Sequence, residues 1–150
     1  MTRLSSAFGG TDSLRIKSFE LAGHTFKVRV PLTKEMDAIG ERIKVIDKDE
    51  AKKRFDKMTA DFPDNIEGIV KTDDDVIVEG RSTKDLVETV MTMENRVVEF
   101  IKLLVPSEGH SLDGITYQDI EAEWPLSVQL EIIARISDVI QPGYKEERKN

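Results

Sequence analysis

Residues 83–105 read TKDLVETVMTMENRVVEFIKLLV, and they form the strongest helical pattern in this 150-residue chain. Apolar residues recur there every three or four positions, which is the spacing of one helix face. The main stripe consists of Leu86, Val90, Met93, Val97, Ile101 and Leu104, and it is widened by Val87, Val98 and Val105. Ser82 or Thr83 is predicted to cap this helix, and Pro106 and Gly109 to end it. A stripe of this width predicts burial on two sides or contact with a partner.

Two further helices are predicted upstream of this segment. The first begins at Thr33, which is predicted to be its N-cap with Leu32 as a hydrophobic staple. The second, over 48–62, is mostly charged and is expected to be exposed on most sides. Its apolar residues are Ala51, Phe55, Met58, Ala60 and Phe62. Between 67 and 80, apolar pairs flank three aspartates at 73–75; we favour short strands here, with an ordered loop as the alternative.

Near the N-terminus, residues 16–21 and 25–30 alternate between apolar and polar with period two. The glycine-containing turn between them predicts a β-hairpin. We expect one of its strands to absorb a register irregularity if the apolar residues share buried positions. Those residues are Ile16, Leu21, Phe26, Val28 and Val30. Pro31 is predicted to end the second strand.

In the last third, Thr116 is predicted to cap a short helix, and Pro125 to open a longer helix that ends near residue 140. The predicted main face of that last helix consists of Leu130, Ile133, Ile136, Val139 and Ile140. The predicted fold class is therefore α+β, predominantly helical, with an N-terminal β-hairpin followed by about four to five helices. We predict a flexible arm at 1–13, a single globular domain over 14–142 and a charged tail at 143–150.

Composition favours a protein that binds other proteins. Charged residues make up 34% of the chain and its formal net charge is −7, which disfavours a nucleic-acid partner. The absence of cysteine excludes disulfides and cysteine nucleophiles. We find no apolar run long enough to span a bilayer and no signal-peptide pattern, so a cytoplasmic location and no membrane partner are predicted.

Four places in the chain could suggest a chemical site, but for each of them a structural interpretation is favoured. His24 and His110 have no partner histidine, and we interpret both as exposed loop residues, so no metal site is predicted. The aspartates at 73–75 lack the spacing of a calcium loop and are predicted to form a solvated turn. Ser13 lies in an Asp-Ser-Leu triplet that resembles the phosphopantetheine site of acyl carrier proteins. No helix is predicted before Ser13, however, and a hairpin pattern follows it. No catalytic residue or cofactor is predicted.

Two segments resemble the tail assembly chaperones of long-tailed bacteriophages. The first is FELAGHTFKVRV at 19–30, a hairpin that leads directly into the helix at Thr33. The second is EWPLSVQLEII at 123–133, an acidic-Trp-Pro step into a last amphipathic helix. The resemblance implies a non-enzymatic protein of the bacterial host cytoplasm that is absent from the mature virion. It also implies that the protein binds and solubilises the tape measure protein and helps to recruit tail tube subunits.

The resemblance further implies self-association into oligomers and a longer form made by −1 ribosomal frameshifting. Codons for Arg148, Lys149 and Asn150 can contain the slippery heptamer A-AAA-AAC, although codon degeneracy leaves this open. The main alternative is a structural tail or head–tail connector component. A carrier protein modified at Ser13 is the less favoured alternative.

The predicted partner-binding residues are apolar residues that lie outside the main stripes. They are Trp124, Leu126 and Val128 at the start of the last helix, and Phe55, Met58 and Phe62 on the charged helix. Tryptophan is an efficient anchor at interfaces. The alternative for each set is burial in the core of the chain itself.

Overall fold

The computed structural model describes residues 3–62 and 67–141, so the predicted tail at 143–150 lies outside the described residues. The fold is α+β and predominantly helical, and an N-terminal hairpin followed by five helices confirms the predicted class. The elements are α1 (Arg3–Ala7), β1 (Ile16–Leu21), β2 (His24–Arg29), α2 (Thr33–Lys44), α3 (Lys48–Thr59), β3 (Ile69–Lys71), β4 (Val76–Val78), β5 (Arg81–Ser82), α4 (Thr83–Ile101), α5 (Tyr117–Glu123) and α6 (Leu126–Ile140).

The chain divides into two compact units. The first unit consists of Met1–Gly40 and Val97–Asn150, and the second of Glu41–Arg96. Residues of α2 and α4 are divided between them. The single domain expected over 14–142 stays a prediction. Within the expected arm, Arg3–Ala7 forms the short helix α1 and Asp12–Arg15 a 3-10 turn, so the expectation that this segment is not helical was wrong.

The hairpin of the first unit has a regular register, because Ala22 and Gly23 form a two-residue turn with φ of 51° and 81°. Positive φ at both positions is the type I′ geometry, whose twist matches that of the strands. The predicted register irregularity is therefore absent. Phe19 pairs with Phe26, and Ile16 falls on the opposite face from Phe26 because side chains alternate along a strand.

Helix α4 ends four residues earlier than predicted, because the chain after it pairs with β2. The Arg29 N–H donates to the Leu103 carbonyl at 2.9 Å, and the Val105 N–H donates to the Lys27 carbonyl at 2.8 Å. Val28 and Leu104 are thereby antiparallel partners and both are buried. The helical periodicity of 83–105 therefore continues beyond the end of α4. Its last apolar residues lie in a segment that pairs with β2 as a strand would.

The core of the first unit is built on α6 and β1, which pack against each other. Its buried apolar side chains are Phe19, Val28, Ile39, Val97, Phe100, Ile101, Leu104, Ile120, Ile132, Ile133 and Ile136. Ile133 and Ile136 of the predicted main face of α6 are buried, as predicted. Leu130 was wrongly placed on that face, since it is exposed while Gln129 and Ile132 are buried. Helical periodicity alone did not identify Gln129 as part of the buried face, because it is a polar residue at the N-terminal end of that face.

In the second unit, β3, β4 and β5 form a three-stranded antiparallel sheet, which confirms the short strands favoured over 67–80. Val76, Val87 and Met91 are buried there, whereas Leu86 and Val90 of the predicted stripe are exposed. Helix α3 ends at Thr59 rather than at residue 62 and has no fully buried residue, in agreement with its predicted exposure.

Helix α2 begins at Thr33, but its cap is Leu32 and not Thr33. The Leu32 carbonyl accepts the first helical hydrogen bond, from the Met36 N–H at 2.8 Å. The Glu35 carboxylate accepts from the Leu32 N–H at 2.8 Å and also pairs with Arg15. The Leu32 hydrogen bond, and then the charge of Arg15, hold the pKa of Glu35 below its usual value.

Candidate partner-binding surfaces

Trp124 lies at a sharp corner between α5 and α6. Thr116 caps α5 through a reciprocal pair of hydrogen bonds with Asp119, as predicted from the sequence. Trp124 then takes an extended conformation, and Pro125 follows as the N-cap of α6 with φ of −65°. The proline ring fixes this φ, so the corner is set by the Trp-Pro step itself.

Gln129 holds this corner from the inside. Its side chain is 1% exposed, and its Nε2 donates to the Trp124 carbonyl at 2.8 Å. Its Oε1 accepts from the Tyr117 hydroxyl at 2.9 Å. One buried amide therefore connects both helices with the backbone of Trp124. The sequence analysis did not single out Gln129; a glutamine in an otherwise apolar helical row was the available signal.

The three predicted partner-binding residues of this corner are outside the fully buried core. Leu126 is 49% exposed, and Trp124 and Val128 are half-buried. Leu126 also begins a row of exposed residues with helical i, i+4 spacing, which continues with Leu130 and Ala134. We call Leu126, Leu130 and Ala134 the α6 ridge. Leu130 was predicted to lie in the core, so this ridge was not predicted from the sequence.

The second predicted set lies on α3 and just after it. Met58 is 44% exposed, while Phe55 and Phe62 are half-buried. Phe55 and Val87 contribute apolar surface to a cleft of about 740 Å³ within the second unit. Charges of both signs line the cleft. Its basic residues are Lys44, Lys48, Lys52 and Lys84, and its acidic residues are Asp56, Asp73, Asp74 and Glu88.

An ion pair fixes α3 in the second unit. The Arg54 guanidinium donates to both carboxylate oxygens of Glu94, each at 2.8 Å, and also contacts Glu50 one turn earlier on α3. These hydrogen bonds, first of all those to Glu94, raise the pKa of Arg54. Asn95 adds a second connection, since its Nδ2 donates to the Ile43 and Val45 carbonyls.

One of the three aspartates at 73–75 has a structural role that the sequence analysis did not predict. The Asp75 carboxylate accepts from the Ser82 hydroxyl, from the Lys84 N–H at 3.0 Å and from the Val76 N–H at 2.7 Å. Ser82 in turn accepts from the Asp85 N–H at 3.1 Å, so it caps α4, as the sequence allowed. The Ser82 hydrogen bond, and then that of Lys84, lower the pKa of Asp75.

The remaining candidates do not come together in one site. Ser13 is exposed in the 3-10 turn before β1, His24 is exposed as the first residue of β2, and His110 is exposed in the loop before α5. In residues 3–62 and 67–141, no three histidine or carboxylate side chains are grouped closely enough to hold a metal ion. Over the same ranges, no helix is long and apolar enough to cross a bilayer.

Comparisons of the chain with protein-family profiles, curated protein sequences and solved structures find no match.

Proposed function

We propose that this protein is a non-enzymatic tail assembly chaperone of a long-tailed bacteriophage. In this role it binds the tape measure protein, keeps it soluble before the tail tube polymerises and helps to recruit tail tube subunits. The proposal includes self-association, a −1 frameshifted longer form, and action in the host cytoplasm with absence from the mature virion. It rests on the two segments that resemble this class of protein.

The observation that supports the proposal best is the exposure of apolar side chains at the α5–α6 corner. Trp124 and Leu126 lie where Pro125 and Gln129 fix the backbone, so their surface is preorganised. A long helical client presents apolar faces that need cover before assembly. A preorganised apolar corner on a protein of net charge −7 can supply that cover and keep the complex soluble.

The test is co-expression of the protein with the tape measure protein of the same phage. We expect the tape measure protein to be soluble with the native chaperone and largely insoluble with a Trp124→Ala, Leu126→Ala double variant. Because neither residue is fully buried, the variant should retain its helical circular dichroism. A matched control is Leu86→Ala, since Leu86 is similarly exposed, at 51%, but lies on α4.

Four outcomes decide the proposal. Loss of solubility with retained helicity supports it, and unfolding of the double variant would place both residues in the core. A client that is equally soluble with the native and double-variant proteins counts against this surface. Detection of the protein in purified virions would instead favour a structural tail component. Intact-mass analysis of the gene's products, translated with the downstream DNA, tests for the longer form.

A further inference from the structure

Exposed carboxylates lie beside the α6 ridge, and one exposed cation, Arg135, follows Ala134 at its C-terminal end. The row of exposed residues with i, i+4 spacing that contains the ridge ends at Asp138, one turn beyond Ala134. Glu131 lies three residues before Ala134 and is exposed on the adjacent row. Glu123 lies three residues before Leu126, at the end of α5, and is exposed as well.

Negative charge also predominates over residues 117–141 as a whole. Between residues 117 and 141 there are five acidic residues and one basic residue, Arg135, so the segment carries −4 of the net charge of −7. All six are exposed. An open hollow of about 470 Å³ beside α5 continues this surface, with Asp113, Asp119 and Glu123 among its lining residues.

We propose that the α6 ridge binds a basic amphipathic helix. Leu126, Leu130 and Ala134 would receive the apolar row of the partner. Glu123 and Glu131 would pair with its lysines and arginines. The row from Leu126 to Asp138 is about 18 Å long at the rise of an α-helix, which fits three to four turns of a partner. This inference rests on the proposed function and names the chemistry of the client segment that the corner receives.

Charge argues against a second copy of this chain as the occupant. A second copy would bring an equally acidic α6 to the same place, and like charges at an interface oppose association. An acidic client helix would likewise bring like charge to Glu123 and Glu131, and a neutral helix would contact only the apolar row. A basic helix satisfies both the apolar row and the charges beside it.

The experiment uses the full chain and two synthetic helical peptides that share one apolar row. One peptide has lysine and arginine beside that row, and the other has glutamate. We expect the basic peptide to bind more tightly by at least about tenfold, and its affinity to fall as salt rises from roughly 50 mM to roughly 500 mM. Trp124, the only tryptophan in the chain, lies beside the ridge and supplies the fluorescence signal.

Two variants locate the site. Leu130→Asp should weaken binding of the basic peptide by about tenfold, because it places a charge within the apolar row. Glu123→Lys with Glu131→Lys should reverse the preference between the two peptides. Leu86→Asp and Asp37→Lys are the matched controls, since the two residues are exposed on α4 and α2, and both controls should bind as the native chain does.

The outcomes separate this inference from the proposed function. Equal binding of the two peptides, or preference for the acidic one, overturns the inference. If neither peptide binds while the tape measure protein is still kept soluble, the inference fails and the proposed function stands. If the basic peptide binds at the ridge but the tape measure protein is not held, the inference stands and the proposed function fails. Lost self-association in Leu130→Asp with unchanged peptide binding would assign the ridge to a second copy and overturn the inference.

Discussion

At the scale of single residues, Gln129 determines how the α5–α6 corner presents Trp124. Replacing Gln129 by leucine keeps much of its volume but leaves the Trp124 carbonyl without this buried donor and the Tyr117 hydroxyl without this acceptor. We expect the free energy of unfolding to fall by roughly 1–3 kcal/mol. Denaturant unfolding followed by Trp124 fluorescence measures both the stability and the altered surroundings of the indole.

Gln118→Leu is the control for this prediction, because Gln118 is exposed on α5. It should leave the stability nearly unchanged. If both variants lose the same stability, the buried amide has no special role in the corner.

Ala22 is a second residue whose conformation has a measurable consequence. Its φ of 51° is in the left-handed region, which asparagine tolerates better than alanine does. Asn-Gly is the preferred pair for this turn, so Ala22→Asn should stabilise the protein by about 0.5–1 kcal/mol. Thermal unfolding compares the variant with the native chain; a lower melting temperature would contradict the type I′ assignment.

At the scale of elements, the start of α4 depends on a charged carboxylate. Because hydrogen bonds from Ser82 and Lys84 lower the pKa of Asp75 in the folded state, the ionised form stabilises the fold above the unfolded pKa of about 3.9. That stabilisation is lost as the pH falls through the lower, folded value. The Glu35 carboxylate at the start of α2 acts in the same direction.

Asp75→Asn tests this contribution. We expect a smaller free energy of unfolding at pH 7 and a shallower decline on acidification below pH of about 4, because asparagine does not titrate. Chemical denaturation at a series of pH values gives both quantities. Asp73→Asn, in the same exposed turn, is the control. An identical pH profile for the two variants would contradict a specific contribution of Asp75 to stability.

Helix α3 depends on its ion pair more than on burial. It has no fully buried residue, while Arg54 makes two hydrogen bonds to the less exposed Glu94. Glu94→Gln weakens this bidentate pair, and we expect a loss of roughly 1–2 kcal/mol, reduced by the partial exposure of Arg54. Hydrogen exchange should show faster exchange of α3 amides, whereas the exposed Glu88→Gln variant should not change them.

The sequence predicted elements well where local chemistry determined them. The turn at Gly23, the cap at Thr116 and the step at Pro125 are local signals, and each marks an element boundary in the structure. Long-range pairing was not visible in the same way. Nothing in the pattern of 83–105 distinguishes its last residues from a helix, because their strand-like role depends on β2, which lies about 75 residues earlier.

The candidate surface was only partly predictable for a related reason. Leu126 stood out beside the Trp-Pro step, but Leu130 fits a helical stripe equally well whether it is buried or exposed. The position of α6 against β1 decides which face is buried, and helical spacing does not carry that information. The buried face shares Ile133 and Ile136 with the apolar pattern but includes Gln129 where the pattern has Leu130.

At the scale of the whole molecule, the charge is unevenly distributed along the chain. More than half of the formal net charge falls within residues 117–141, which also contain the exposed leucines of the α6 ridge. An apolar surface usually lowers solubility, whereas net charge on the same surface raises it. The segment with most of the net charge is therefore also the one with exposed leucines, and its like charge opposes contact between two copies of it.

The segment after α4 also covers one edge of the β-hairpin. Residues 103–105 form hydrogen bonds with the backbone of β2 along one edge of the hairpin. Open strand borders are templates on which foreign chains add and aggregation begins. Because residues 103–105 already pair with Lys27 and Arg29, a foreign strand finds those backbone groups occupied at this edge of the hairpin.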